Sequence, residues 1–317
     1  MREQAGTLSG ADDTPIHVYR WLPEEERSIR HVVQIVHGLG EHAARYRRLA
    51  ERLTAEGYLV LAHDQRGHGR TSAGGLPGHF ADEDGWEKVL DDVDRVRREA
   101  RRLCPEGRLT LLGHSMGSYV AQAYLLRHPA DVDQLVLSGS TFASRGQLRL
   151  FRFIATLEKL RQGARGRSAL LEKLSFGAFN KEFQPNRTEF DWLSRDGEEV
   201  DRYITDPLCG GRSTNQLWRD LTGGLMEISS VPALRQLPAD LPLYILGGEK
   251  DPVGGAKGLT RLFEAYREAG LARIRLKLYP EGRHEMFNET NREEVTADLI
   301  AWLQSPETGS VPSDPGG

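Results

Sequence analysis

Short apolar strands alternate with amphipathic helices along most of the chain, and this alternation constrains the fold more than any other feature. The predicted strands cover residues 14–21, 31–36, 58–62, 109–112, 134–138, 243–246 and 273–278. The predicted helices cover residues 46–55, 86–103, 117–127, 259–269 and 293–303. This order indicates βαβ units around a mostly parallel sheet. Because several strands are continuously apolar, we expect helices on both faces of the sheet.

Residues 142–237 interrupt this pattern. They contain no convincing central strand, are rich in Arg, Phe and Leu, and show helical spacing over 148–160, 169–174 and 215–229. We interpret them as a mostly helical cap inserted between the two parts of an α/β core, residues 1–141 and 238–304. The tail, residues 305–317, is rich in Ser, Pro and Gly, and we expect it to be disordered.

The composition excludes several classes of protein. The 317 residues carry a formal net charge of −4 and are 38% apolar, which argues for a folded core and against nucleic-acid binding. The two cysteines, Cys104 and Cys209, are too few for a disulfide scaffold. We expect two free thiols, with one bridge as the alternative. No motif suggests a zinc site, and we expect neither a metal nor another cofactor.

The N-terminal residues and the length of the apolar runs indicate where in the cell such a protein is expected. Residues 1–7 lack the apolar core of a signal peptide. No apolar run approaches the roughly 18 residues that a membrane span requires. We therefore expect a soluble, cytoplasmic protein.

The motif Gly113-His114-Ser115-Met116-Gly117 follows a predicted apolar strand and precedes a predicted helix. This is the context of the G-x-S-x-G nucleophile elbow, a turn so tight that small flanking residues are needed. Ser115 would lie at the carboxyl end of the sheet, where the helix N-terminus favours developing negative charge. We predict that Ser115 is a catalytic nucleophile, the alternative being an ordinary serine in a Gly-rich turn.

A serine hydroxyl needs a base, and the base needs an orienting acid. In this arrangement the order along the chain is serine, acid, histidine. Asp251 follows the predicted strand 243–246, and His284 follows the predicted strand 273–278. We predict that Asp251 is the acid and His284 the base, with Glu249 as the alternative acid. The other histidines, including His37, His42, His63, His68, His79 and His114, are expected to be structural.

Two loops beside the predicted strands are rich in glycine. The loop of residues 37–42 would supply the Leu39 N–H to an oxyanion hole, and the second donor would be the Met116 N–H. A flexible turn is the alternative interpretation of that loop. Residues 64–69 are expected to be structural, with Asp64 and Arg66 tying loops together.

Together these motifs resemble the α/β-hydrolase superfamily, and within it the monoacylglycerol lipase and lysophospholipase group, which is classified with the serine aminopeptidases. The matching segments are HGLGEH at 37–42, DQRGHG at 64–69, GHSMG at 113–117, EKDPVG at 249–254 and GRHEMFNE at 282–289. The resemblance implies an α/β-hydrolase fold with a lid-like cap. It implies the same roles for Ser115, Asp251, His284, Leu39 and Met116.

The chain differs from this group at one position of the first motif, and one segment of its cap resembles a second group of hydrolases. Monoacylglycerol lipases commonly have alanine where this chain has Leu39, whose larger side chain would narrow the pocket. Residues 186–196 of the cap resemble bacterial lysophospholipase-like hydrolases.

Specificity is expected to reside in the cap. Candidates for the substrate-binding surface are Phe142, Phe179, Phe183, Trp218, Leu225 and Met286, with Phe151, Phe153, Phe176, Leu217, Met226 and Phe287 as further candidates. Each could instead belong to the core of the cap. The basic stretch of residues 145–167 is interpreted as a solvated helix face, the alternative being transient contact with anionic lipid head groups.

The predicted activity is that of a serine carboxylic-ester hydrolase that forms an acyl-enzyme. The expected substrates are monoacylglycerols or similar esters with a medium acyl chain. The alternatives are a lysophospholipase, or a proline-type aminopeptidase in which Glu182, Glu189 or Asp191 binds the α-amino group. A non-catalytic small-molecule receptor on the same fold is the alternative from another class.

Overall fold

A computed structural model describes residues 1–25, 29 and 31–305. Eight strands form one sheet in the order β1-β2-β4-β3-β5-β6-β7-β8. The strands are β1 (Arg2–Ser9), β2 (Pro15–Leu22), β3 (His31–Val36), β4 (Leu59–His63), β5 (Arg108–His114), β6 (Gln134–Ser138), β7 (Leu243–Gly248) and β8 (Ile274–Tyr279). From β4 onwards neighbouring strands are parallel, and only the pairs that involve β2 are antiparallel. The predicted mostly parallel sheet is confirmed.

Ten α-helices accompany the sheet in the described residues. They are α1 (Arg47–Ala55), α2 (Gly85–Leu103), α3 (Met116–Arg127), α4 (Arg145–Gln162), α5 (Ala169–Ser175), α6 (Gly197–Thr205), α7 (Asn215–Ile228), α8 (Val231–Leu234), α9 (Gly255–Ala269) and α10 (Arg292–Gln304). None of them is long and apolar enough to cross a membrane. The predicted disordered tail lies almost wholly outside the described residues.

Successive residues of the central strands face opposite sides of the sheet. In β3, Val32 and Val36 join an apolar cluster that includes residues of α2, α3 and α9. Val33 and Ile35 join a second cluster that includes residues of α1 and α10. The sheet is therefore buried on both faces, as its continuously apolar strands predicted.

Strand β1 was missed because it is a polar edge strand whose side chains are mostly exposed, so it has no apolar periodicity. Helix α6 was missed as well, although a signal for it was present. Asp196 caps this helix by accepting hydrogen bonds from the N–H groups of Glu198 and Glu199. An Asp followed three residues later by Glu is typical of a helix start.

The segment between β6 and β7 contains α4 to α8 and no strand, as predicted for a helical cap. Helix α4 begins at Arg145 and ends at Gln162, so it extends beyond the predicted 148–160 at both ends. The boundaries of the cap at 142 and 237 remain predictions.

The loop after β4 is structural, as expected. Asp64 accepts hydrogen bonds from the N–H groups of Ala43 (2.8 Å) and Arg70 (2.7 Å), which joins two loops. Arg66 lies 2.6 Å from Asp92 of α2, and both side chains are almost fully buried. This ion pair fixes the loop to the helix that covers one face of the sheet.

Replacing Asp92 with Asn should lower the free energy of unfolding by about 3 kcal/mol, because the buried Arg66 then loses its buried partner and keeps only the partly exposed Asp12, 2.8 Å away. The exposed neighbour Asp91 offers a matched control, and Asp91→Asn should change the free energy of unfolding by less than about 0.5 kcal/mol. Urea unfolding curves measure both values. Equal, small losses in the two variants would contradict the role of the buried pair.

Candidate active site

Ser115 occupies a strained turn between β5 and α3. Its φ of 50° and ψ of −121° are unusual for a residue with a side chain, as expected of a nucleophile elbow. A Cβ at Gly113 would collide with the backbone of Gly117, and a Cβ at Gly117 would collide with the Val36 carbonyl. The turn therefore requires both glycines of the motif.

His284 and Asp251 lie together at the carboxyl ends of β8 and β7. The Nδ1 of His284 lies 2.9 Å from the Oδ2 of Asp251, and both side chains are buried. The other carboxylate oxygen of Asp251 accepts a hydrogen bond from the Val253 N–H (2.9 Å), which fixes the carboxylate. Glu249, the alternative acid, is exposed. The structure thus pairs the histidine with Asp251.

The surroundings of His284 act on its charge in opposite directions. Burial disfavours the imidazolium, but the neighbouring Asp251 carboxylate stabilises it, and the net effect raises the pKa of His284 above its usual value. The ring of His114 lies 4.7 Å from the His284 ring, centroid to centroid. Burial and this neighbour lower the pKa of His114 to about 4, so His114 is neutral and adds no repulsive charge.

The loop of residues 37–42 passes beside the serine. A Cβ at Gly38 would lie 3.2 Å from the Cβ of Ser115, a contact tight enough that glycine favours this approach. The Gly38 N–H donates to Glu41 Oε1 (2.6 Å), and Arg45 lies 2.9 Å from Glu41 Oε2. The guanidinium of Arg45 also binds both carboxylate oxygens of Glu285, which follows the histidine in sequence. The loop is therefore fixed to the histidine segment, and the alternative of a flexible turn is not supported.

Residues of the cap contact the glycine-rich loop and the histidine of the site. The Tyr203 hydroxyl and the Gly210 N–H both donate to the Gly40 carbonyl, at 3.0 and 2.9 Å. The Trp192 ring lies 5.1 Å from the His284 ring, centroid to centroid. The Glu285 N–H donates to the Leu193 carbonyl (2.8 Å). The cap therefore contacts both the 37–42 loop and the histidine segment.

A cavity of about 610 Å³ lies between the cap and the carboxyl end of the sheet. Ser115, His284 and Leu39 line it, and Asp251 lies behind His284. The remaining apolar side chains of its lining are Phe176, Phe190, Trp192, Leu193, Tyr203 and Val253. The polar side chains are Glu41, His114, Glu172, Lys173, Asn180, Asn186, Thr188, Glu189, Arg212 and Glu285. The cavity is thus amphiphilic, and its volume is typical of small-molecule sites.

Most of the apolar residues predicted for the substrate-binding surface lie elsewhere. Of the twelve candidates, only Phe176 lines this cavity. Phe142, Trp218 and Leu225 pack against the main core, Phe179 and Phe183 pack in a small cap cluster, and Met286 is fully buried behind the histidine segment. Apolar side chains here stabilise the cap itself, because a helical layer needs its own core before it can form a pocket.

The signal for the lining residues was present but weak. Phe190, Trp192 and Leu193 lie in the 186–196 segment that the sequence analysis singled out, and this segment contacts the histidine loop. Tyr203 lies on the missed helix α6.

The remaining histidines and cysteines mostly have structural roles or no direct contact with the cavity. His37 is fully buried, and its Nε2 accepts a hydrogen bond from the Gln65 N–H (2.9 Å). Burial lowers the pKa of His37 well below its usual value, so the ring is neutral. Cys104 and Cys209 are both free, as expected.

Replacing Asp251 with Asn should lower the pKa of His284, because burial then acts without the carboxylate that is hydrogen-bonded to the ring. Histidine NMR titration measures this pKa, with the resonance assigned from its loss in His284→Gln. The matched control is Glu249→Gln, which changes an exposed carboxylate of the same loop and should leave the pKa unchanged. An unchanged pKa in Asp251→Asn would contradict the assigned pair.

Comparison with known proteins identifies the family of the chain. The family model of serine aminopeptidase, S33, matches residues 27–291. A monoacylglycerol lipase from Mycolicibacterium smegmatis is 30% identical over 289 residues, which cover 90% of this chain and 91% of the relative. A monoglyceride lipase from Homo sapiens is 27% identical over 313 residues, with coverage of 94% and 93%.

Solved structures show the same fold. A thermostable carboxyl esterase from Bacillus coagulans superposes with a TM-score of 0.84 at 24% identity, over 96% of this chain and 98% of the esterase. Since the family model covers most of the chain and the sheet, helices and elbow have the expected arrangement, the chain belongs to the serine aminopeptidase S33 family of α/β-hydrolases.

Proposed function

We propose that this protein is a serine carboxylic-ester hydrolase that acts through an acyl-enzyme on monoacylglycerols or similar medium-chain esters. The observation that carries the proposal is the strained Ser115 in one cavity with His284, whose other ring nitrogen binds Asp251. The curated relatives include monoacylglycerol and monoglyceride lipases.

In the proposed reaction, His284 takes the proton of the Ser115 hydroxyl through Nε2, and the serine oxygen attacks the ester carbonyl. The Asp251 carboxylate holds the ring and stabilises the imidazolium that forms. His284 then gives the proton to the leaving alcohol. Water next attacks the acyl-enzyme while His284 accepts one of its protons. His284 then returns that proton to the Ser115 oxygen as the bond to the acyl group breaks, which releases the fatty acid and restores the free enzyme. Because His284 must be neutral to act as a base, turnover falls as the pH drops through its pKa.

We assign the N–H groups of Leu39 and Met116 as the hydrogen-bond donors that stabilise the oxyanion of each tetrahedral intermediate. Met116 is the first residue of α3, and the first N–H groups of a helix have no partner within it. The 37–42 loop passes close to Ser115, and Glu41 holds the neighbouring Gly38 N–H. Loss of one such donor costs about 10²–10³ in kcat in comparable enzymes.

The lining of the cavity supports the substrate class. The aromatic and aliphatic side chains of Phe176, Phe190 and Val253 suit an acyl chain. The Asn180 amide donates one hydrogen to the Thr188 carbonyl, which leaves its second N–H for a polar alcohol. The Thr188 hydroxyl donates to Asp191 and accepts from the Phe190 N–H, which leaves one lone pair for the alcohol. An ester with one apolar chain and one small polar head matches both parts.

The cap also carries an exposed apolar row on α4, formed by Leu150, Phe153, Leu157 and Leu160. This row supports transient contact of the cap with a membrane surface, where such esters are found. Several basic residues of the same stretch are already engaged within the protein, for example Arg165 with Asp82 and Arg161 with Glu158. Apolar insertion is therefore the stronger contribution to this contact.

Two rival activities use residues of the same cavity. Lys173 and Arg212 would suit the phosphate of a lysophospholipid. Of the three acids considered for an aminopeptidase, Glu189 lines the cavity, whereas the Asp191 carboxylate accepts hydrogen bonds from Arg187 and Thr188. A substrate panel separates these activities.

Initial rates on p-nitrophenyl esters of graded chain length, a monoacylglycerol, a lysophospholipid and a prolyl amide should show fast ester turnover and little amide cleavage. Ser115→Ala should lower kcat by about 10⁴-fold or more, because the nucleophile is lost. The exposed Ser144→Ala is the matched control and should keep full activity. Preference for the amide would overturn the ester assignment, and a folded protein without any turnover would favour the receptor alternative.

Chain-length preference should depend on Phe176 and not on Phe151. Phe176→Ala enlarges the cavity and should raise kcat/KM for longer acyl chains over shorter ones by about ten-fold, the scale of one methylene in an apolar pocket. Phe151 packs against Trp218, with ring centroids 5.7 Å apart, and does not line the cavity. Phe151→Ala should therefore leave the optimum chain length unchanged, and an equal shift in both variants would contradict the assigned pocket.

A further inference from the structure

A cluster of three metal-ligating side chains joins the cap to the 37–42 loop, outside the catalytic residues. It consists of His42, Asp206 and Cys209. The Nε2 of His42 lies 2.8 Å from the Oδ2 of Asp206. One ring nitrogen, one carboxylate oxygen and the Sγ of Cys209 all lie within 4.8 Å of one another. We propose that this cluster binds one Zn²⁺ ion and that the bound ion ties the cap to the core.

The donor set selects the class of metal. Thiolate and imidazole are the ligands that Zn²⁺ prefers, whereas Mg²⁺ and Ca²⁺ take oxygen ligands. Tetrahedral bonds of about 2.0–2.3 Å place ligand atoms roughly 3.3–3.8 Å apart. The present cluster reaches that spacing when separations near 4.8 Å close by about 1 Å and the 2.8 Å His42–Asp206 contact opens by roughly 0.5 Å. Three protein ligands leave the fourth position to water.

A second observation concerns the ring nitrogen of His42 that does not contact Asp206. The side chain is only 7% exposed, and its Nδ1 is buried without a hydrogen-bond partner. Because Nδ1 is not committed to another hydrogen bond, the ring proton can move to it without breaking a contact. The lone pair of Nε2, which lies beside Asp206, is then available to a metal ion.

The surrounding charges favour a cation. Arg45 is the nearby positive group, and it is paired with two carboxylates, Glu41 and Glu285. The three carboxylates of Glu41, Glu285 and Asp206 therefore outnumber the one guanidinium of Arg45 in this neighbourhood. Binding also balances chemically. The Cys209 thiol releases its proton to water as the S–Zn bond forms, the neutral imidazole of His42 shifts its proton from Nε2 to Nδ1 so that Nε2 can bind, and the carboxylate of Asp206 exchanges its hydrogen bond from Nε2 for the ion.

The ligands come from two parts of the chain that are already in contact. The Gly210 N–H, beside Cys209, donates to the Gly40 carbonyl, close to His42. His42 and Asp206 are 164 residues apart in sequence, so no short motif announces the site. A ligand set divided in this way between distant segments leaves no metal-binding pattern in the sequence.

Cobalt(II) is a spectroscopic probe for the proposed site, because thiolate ligands give it a near-ultraviolet charge-transfer band and tetrahedral geometry gives it visible absorption. Titration of the full chain should show both, saturating at one ion per chain, and Zn²⁺ should displace them. Cys209→Ser should abolish the charge-transfer band. Asp206→Asn should weaken binding by at least about ten-fold, the cost of losing even an outer partner of a metal site. Cys104→Ser is the matched control and should bind like the unaltered protein.

Thermal unfolding gives a second readout that does not depend on ester turnover. Zn²⁺ should raise the Tm of the unaltered protein and of Cys104→Ser, but not that of Cys209→Ser, whereas Mg²⁺ should have no effect. Near-ultraviolet circular dichroism checks that each variant is folded. Absence of the cobalt band in the unaltered protein, its persistence in Cys209→Ser, or its loss in Cys104→Ser would each overturn the proposal. Loss of esterase activity in the panel above would leave these results unaffected.

Discussion

The buried ion pair network around Arg45 determines how the rest of the site is held. Its guanidinium binds Glu285, beside the proposed base, and Glu41, which holds the loop of the proposed oxyanion hole. Burial disfavours the charged carboxylate, but Arg45 more than offsets this and holds the pKa of Glu285 below its usual value. Removing one partner of such a network leaves an uncompensated buried charge, at a cost of about 3–5 kcal/mol. The positions of the histidine and of the oxyanion loop therefore depend on one cation.

The same arrangement explains how the cap takes part in the site. The Tyr203 hydroxyl of the cap donates to the Gly40 carbonyl, while the Glu41 carboxylate accepts the Gly38 N–H within the same loop. Trp192 packs beside His284 and removes water from one side of its ring. A low-water environment strengthens the Asp251–His284 interaction, so the cap contributes to electrostatics as well as to substrate shape.

The sequence predicts those parts of the molecule that depend on neighbouring residues and on the periodicity of single strands and helices. The elbow around Ser115 was predictable because only small residues fit a turn this tight, and the buried strands were predictable from their continuous apolar runs. Asp251 and His284 were predictable because parallel strands bring their carboxyl ends to one edge of the sheet. The pocket was not predictable in the same way. Whether an aromatic side chain such as Trp218 packs inward or lines a cavity depends on contacts between distant segments, which apolar character alone does not reveal.

The central claim is that Ser115 carries the acyl group in turnover. Rapid quenching of the reaction with a p-nitrophenyl ester, followed by intact-mass and peptide-mass analysis, tests it most directly. The account predicts a burst of p-nitrophenol equivalent to one active site per chain, and an acyl adduct on the peptide that contains Ser115. Hydrolysis without any burst or adduct, or an adduct on another residue, would contradict it.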